Sequence, residues 1–104
     1  MEKYYGVMCI KTATERNNYF NGECRTMIYG KGDKLLLHDG DKSGWMDRNL
    51  LAPYWVREYG YKRPCDAKRN WSYNHPDIDK PGWKSEFRIV TLWVRKDNTV
   101  MLLP

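Results

Sequence analysis

At 104 residues, with 41% hydrophobic and 14% aromatic residues, the chain can build one core but not two, and a disordered chain is excluded. The longest apolar runs, such as Leu35 to Leu37, fall far short of the roughly 20 residues that a membrane span needs, so we expect no membrane partner. The net charge of +5 favours encounters with anionic partners, although a soluble domain with no such partner can carry the same charge.

The first half of the chain predicts three strands. Residues 4–11 are apolar at nearly every position, as in a strand that is central in a sheet or covered on both faces. Residues 12–22 are rich in turn-forming residues, which predicts a long loop or hairpin tip. Residues 23–29 and 34–38 then predict a hairpin around Gly30 to Asp33, where two glycines permit the positive φ angles of a tight turn.

A short helix should follow. Pro53 is tolerated only in a first helical turn, Asn49 is one candidate N-cap, and Gly60 can end the helix near Tyr59. Apolar residues lie side by side along this helix and predict a broad face that packs on the sheet: Leu50, Leu51, Tyr54, Trp55 and Tyr59.

A second helix should begin at Pro64, carry Ala67 and Trp71 on one face, and end before Pro76, because proline disfavours helix at the preceding residue. Residues 87–94 alternate in a long strand, which a turn at Lys96 to Asn98 returns to a last strand over 99–103. This order predicts a single α+β domain over residues 1–104. We expect a mostly antiparallel sheet of about five strands with one or two helices packed on one face.

The residues that could perform catalysis or bind metal are few and scattered. Cys9, Cys24 and Cys65 form no CxxC pair, and no catalytic or zinc signature surrounds them or the two histidines, His38 and His75. We therefore expect no enzyme, metal or cofactor, and we expect Cys9 and Cys65 to pack as small apolar groups. Unpaired cysteines and the lack of an apolar signal segment predict a reducing, cytoplasmic location.

The segment from Asp39 to Asp47 matches D-x-D-x-S-G, the start of a calcium loop. Position twelve of that loop, where a glutamate should close the site, is Leu50. We therefore expect no calcium to bind at millimolar concentration, and turn formation explains the same residues.

The segment from Tyr54 to Tyr73 interleaves aromatic and basic residues. Cations that neutralise phosphates, among rings that stack on bases, are typical of a nucleic-acid groove. Two amphipathic helices whose rings face the sheet would give the same pattern without any ligand. If the segment binds a partner, the candidate binding residues are Arg57, Tyr61, Lys62, Arg63, Lys68 and Arg69.

A resemblance covers roughly the C-terminal half. Residues 58–63, Asp66, Ala67, Asn70 and Trp71, followed by Trp83 and the strand over 87–94, resemble small uncharacterised accessory proteins of bacteriophages and mobile elements. Such proteins include anti-CRISPR and other anti-defence inhibitors, and the resemblance implies action by binding and blocking rather than by catalysis. Many of those inhibitors are acidic DNA mimics, whereas this chain is basic.

Our leading hypothesis is therefore a non-enzymatic accessory protein that binds and blocks a host protein or nucleoprotein. The alternative is a small basic domain that binds DNA or RNA directly with weak sequence selectivity, and a small enzyme comes third. The oligomeric state does not follow from the sequence.

Overall fold

The computed structural model describes residues 1–13, 24–39, 51–74 and 83–103, which form one five-stranded antiparallel sheet and two helices. The predicted α+β class is therefore confirmed. Along the sheet the strand order is β3-β2-β1-β4-β5. The elements are β1 (Glu2–Ala13), β2 (Cys24–Tyr29), β3 (Leu35–Asp39), α1 (Pro53–Tyr59), α2 (Pro64–Asn74), β4 (Trp83–Val94) and β5 (Val100–Leu103).

Strand β1 is the centre of the sheet and is buried on both sides, as its apolar sequence predicted. It pairs with β2 on one edge and with β4 along its whole length on the other. Because side chains alternate along a strand, Tyr4 and Met8 lie on one face of the sheet, and Tyr5, Val7 and Cys9 lie on the other. We call these the first face and the second face.

The first face carries the larger core. Helix α1 contributes Val56, which is fully buried, and Trp55 and Tyr59 pack around it. An extra residue in β3 opposite β2, at Leu36, forms a β-bulge and adds that side chain to the core. The buried members of this cluster are Met8, Ile28, Leu36, Val56, Val90, Leu92 and Val94.

The second face is packed against the other helix. A smaller cluster of Val7, Tyr61 and Ala67 lies there, and Ala67 belongs to α2. The expectation that the helices pack on one face of the sheet is therefore wrong, because α1 lies on the first face and α2 on the second. The physical reason is that β1, β2 and β4 present apolar side chains on both faces, and each face needs its own cover.

The chain passes from one face to the other at Tyr61. Strand β2 ends opposite Val7, which leaves the backbone of Tyr5 without a β2 partner on that edge. Tyr61 takes the position, and its N–H and C=O exchange hydrogen bonds of 2.8 and 2.7 Å with Tyr5. A Cβ on Gly60 would lie 2.9 Å from the Cβ of Tyr4, so only glycine allows this close passage.

The start of α1 differs in detail from the sequence prediction. The N-cap is Ala52, which makes no side-chain capping bond, and Asn49 lies outside the described residues. Tyr54 is 62% exposed and so does not belong to the apolar face of the helix. The predicted end of α1 at Gly60 and the predicted start of α2 at Pro64 are confirmed. Neither described helix is long and apolar enough to cross a membrane.

Candidate functional site

An open surface pocket of about 410 Å³ lies where the turn between β2 and β3 meets the start of α2. Four basic side chains and a single acidic one line it, so the local balance is strongly positive. We call it the basic pocket. Its lining residues are Lys31, Tyr61, Lys62, Arg63, Asp66, Arg69 and Asn70.

One wall of the basic pocket is the turn after β2. The N–H of Gly30 donates to the C=O of Lys34 at 2.8 Å, which closes the turn and places Lys31 at its tip. Gly32 has a φ of 63°, as predicted for a tight connection. Gly30 does not use positive φ: it is extended, and it is needed because a Cβ there would lie 2.4 Å from the C=O oxygen of Tyr59.

The floor of the basic pocket is Tyr61. Tyr61 is 3% exposed, its hydroxyl donates to the C=O of Gly30 at 3.2 Å, and its ring packs in one buried cluster with Ala67 of α2. Burial raises the pKa of Tyr61. Tyr61 therefore offers no exposed ring to a partner, because its backbone pairs with β1 and this directs the ring under α2. Tyr61 instead joins the two walls of the pocket.

The second wall is the first turns of α2, where Asp66 organises two arginines. Arg63 donates to Asp66 through Nε at 3.0 Å and through Nη2 at 3.3 Å, and Arg69 donates through Nη2 at 3.5 Å. The side chains of Arg63 and Arg69 are 70% and 79% exposed, so water screens these pairs and they stabilise the fold little. Their effect is to hold two guanidinium groups on one side of the pocket.

Four of the six predicted binding residues come together in the basic pocket: Tyr61, Lys62, Arg63 and Arg69. Lys68 is exposed on α2 but does not line it. Arg57 lies apart, on α1, where it donates to Glu2 at 2.9 Å and to Asn98 at 3.1 Å. The Arg57 guanidinium lowers the pKa of Glu2. These bonds connect α1 to the end of the sheet where β1 begins and where the turn between β4 and β5 lies.

Sequence reasoning missed Lys31, Asp66 and Asn70. Lys31 lies 30 positions before Tyr61 in the chain, in the turn after β2, so no local pattern links it to the segment over 54–73. Asp66 and Asn70 are spaced four apart on a predicted helix. That spacing is a signal that they share one side of it.

The aromatic rings of α1 mostly face the sheet, as the amphipathic interpretation predicted. Trp55 and Tyr59 pack on the core of the first face, and the Nζ of Lys34 lies 3.8 Å from the Trp55 ring centroid and 5.2 Å from that of Tyr59. Tyr54 is exposed. The side chains of Trp71 and Tyr73 lie outside the description. Few described rings of this segment are therefore placed to stack on bases.

The other candidate groups are dispersed. Cys9 is buried, as predicted, whereas Cys65 is exposed and does not pack as an apolar group, because it lies on the outer side of the first turn of α2. Within residues 1–13, 24–39, 51–74 and 83–103, no three His, Cys, Asp or Glu residues are grouped as metal ligands would be. The calcium-like segment after Asp39 lies outside the described residues.

Comparison with known proteins finds no match: no protein-family model, no curated protein and no solved structure matches this chain. The resemblance to accessory proteins of bacteriophages therefore stays a prediction from the sequence.

Proposed function

We propose that this protein is a non-enzymatic accessory protein that binds and blocks a host nucleoprotein, and that the basic pocket contacts the anionic part of that partner. The observation that carries the proposal is the convergence of cations from separate parts of the chain. Lys31 comes from a turn, Lys62 and Arg63 from the crossing between faces, and Arg69 from α2. Such a cluster attracts an anionic surface and raises the association rate.

The exposure of the arginines supports binding rather than a structural role. Exposed cations contribute little to stability, so a fold gains little by grouping them, and Asp66 neutralises only one of the four. Arginine is also enriched among the residues that dominate protein interfaces. An interface centred on Arg63 and Arg69 would thus combine electrostatic steering with directional hydrogen bonds.

Direct binding of DNA or RNA is the alternative, and the same four cations favour it because phosphates are their natural ligands. Proteins that bind single strands also need exposed rings on which bases stack. Here Tyr61 is buried and forms the floor of the pocket. Direct binding would therefore depend on phosphate contacts, which orient a protein on nucleic acid but carry no sequence information.

The test compares two variants with the same loss of charge. The pocket variant carries Lys62→Gln, Arg63→Gln and Arg69→Gln, and the control carries Lys84→Gln, Arg95→Gln and Lys96→Gln on exposed positions that do not line the basic pocket. Each is used to capture partners from host lysate, with and without nuclease, and the captured partner is then purified for affinity measurements.

We expect the parent and the control to retain a partner that survives nuclease treatment, and the pocket variant to lose it. Capture that disappears with nuclease in all cases would favour the alternative, direct binding of nucleic acid. Equal loss in both variants would show that net charge alone is responsible, and would refute a role for the basic pocket.

A further inference from the structure

The basic pocket offers hydrogen-bond donors from several directions. We call residues 59–63, where the chain passes from one face of the sheet to the other, the crossing segment. Lys31 lies on the turn after β2, Lys62 and Arg63 lie on the crossing segment, and Arg69 and Asn70 lie on α2. Arg63 uses Nε and Nη2 for Asp66, and its Nη1 group makes no bond to the other described residues. A ligand in the pocket therefore meets cations on more than one side. This suits a compact anion with several acceptor oxygens better than a flat or extended one.

The charge of the basic pocket favours a dianion. Four cations against the Asp66 carboxylate leave an excess of three positive charges. A phosphate diester within a nucleic-acid strand carries one negative charge and is attached on two sides. A phosphate monoester carries about −1.5 to −2 at pH 7 and presents three acceptor oxygens from a single point of attachment. The monoester can therefore enter a concave site that the diester can only touch from outside.

We infer that the basic pocket binds a terminal phosphate monoester of a nucleic-acid strand, a hypothesis that rests on the proposed nucleoprotein partner. A strand end is favoured over a phosphorylated peptide because the proposed partner is a nucleoprotein, which supplies nucleic-acid strands to the pocket.

The experiment uses the purified full chain and one short single-stranded oligonucleotide in three forms: with a 5′-phosphate, with a 3′-phosphate, and with neither. We expect one phosphorylated form to bind about tenfold more tightly than the unphosphorylated form at pH 7.5, because the extra charge forms charge-assisted hydrogen bonds. Lowering the pH through about 6, where the monoester takes up its second proton, should remove most of that preference. No histidine is among the described residues that line the pocket, so the ligand is the group whose charge changes there.

The double variant Arg63→Gln and Arg69→Gln should lose the preference, whereas Lys84→Gln with Lys96→Gln should keep it. Circular dichroism confirms that both variants are folded. Equal affinity for all three oligonucleotides would overturn the inference and leave nucleoprotein capture by the parent unaffected. A phosphoserine peptide that binds as tightly as the phosphorylated strand would overturn the nucleic-acid assignment. A preference for the phosphorylated strand, in a protein that captures no nucleoprotein, would uphold the inference and refute the proposed function.

Discussion

Replacing Gly30 with alanine would place a methyl group against the backbone of the crossing segment. The new Cβ would lie 2.4 Å from the C=O oxygen of Tyr59, and this gap must open by at least 0.6 Å to reach the 3.0 Å limit that real Cβ atoms respect. Gly30 is extended, so the dihedral angles add no strain. The cost is therefore steric, and overpacking of this kind costs about 1–3 kcal/mol.

Two further terms adjust that figure. Alanine allows the unfolded chain fewer conformations than glycine does, which offsets about 0.4–1 kcal/mol of the steric cost. Moving the turn away from the crossing also weakens the bond from the Tyr61 hydroxyl to the C=O of Gly30, and a hydrogen bond of this type contributes about 1 kcal/mol. We expect a net destabilisation of about 2 kcal/mol. The same movement separates Lys31 from the other cations of the basic pocket, so binding of the partner should weaken as well.

Urea denaturation followed by circular dichroism measures this change. The matched control is Gly32→Asn, since Gly32 has a φ of 63° that asparagine tolerates and no atom of the described residues lies within 4 Å of its Cβ position. The control should stay within about 0.5 kcal/mol of the parent. A denaturation midpoint for Gly30→Ala equal to or above that of the parent would refute the close packing of the turn on the crossing segment.

Three other substitutions test the core and its electrostatics. Leu92→Ala, at a fully buried position, should lower the free energy of unfolding by about 2–5 kcal/mol in the same denaturation assay. Lys34→Met should cost about 0.5–1 kcal/mol through the lost cation–π contact with Trp55, and an unchanged midpoint would show that the contact is not formed. Burial raises the pKa of Tyr61, so the folded state keeps a proton that the unfolded state releases above about pH 10, and stability should fall as the pH rises there. Tyr61→Phe should make that fall shallower in pH-dependent melting, and an identical slope would contradict the assignment.

Most of the fold could be predicted from local patterns. The β-branched and aromatic residues over 87–94 predicted the strand that forms most of β4, because such side chains pack well on a pleated sheet. The limits of both helices followed from proline and glycine. Pro53 and Pro64 begin them, and Gly60 ends the first, because these residues act on the backbone wherever they occur.

The placement of the helices on opposite faces was not predicted, although β1 contained the signal. Residues 4–11 are apolar on both sides, so both faces of a central strand must be covered. With two predicted helices and two faces to cover, one helix on each face is the economical arrangement. Helical periodicity shows that a helix has an apolar side but does not show which surface it meets, and the periodicity of α1 and α2 could not settle the question.

The site was predicted only in part, because charge and burial follow different rules. Lys62, Arg63 and Arg69 could be recognised as exposed cations, since charged side chains are seldom buried. Tyr61 stands among them in the sequence but is buried, and a tyrosine is compatible with either environment. Its burial depends on the bridge to Tyr5, a contact across 56 positions of sequence that no local pattern encodes.

The crossing at Tyr61 also explains why the basic pocket lies at this end of the sheet. The chain can pair with Tyr5 only where β2 has ended, so the crossing segment must run beside the turn that follows β2. That topology brings Lys62 and Arg63 next to Lys31 whatever their charges. Their charges, in contrast, contribute little to stability because the side chains are exposed. The fold therefore fixes the position of the pocket while leaving its chemistry free to vary, and neutralising its cations should remove binding from a protein that still folds.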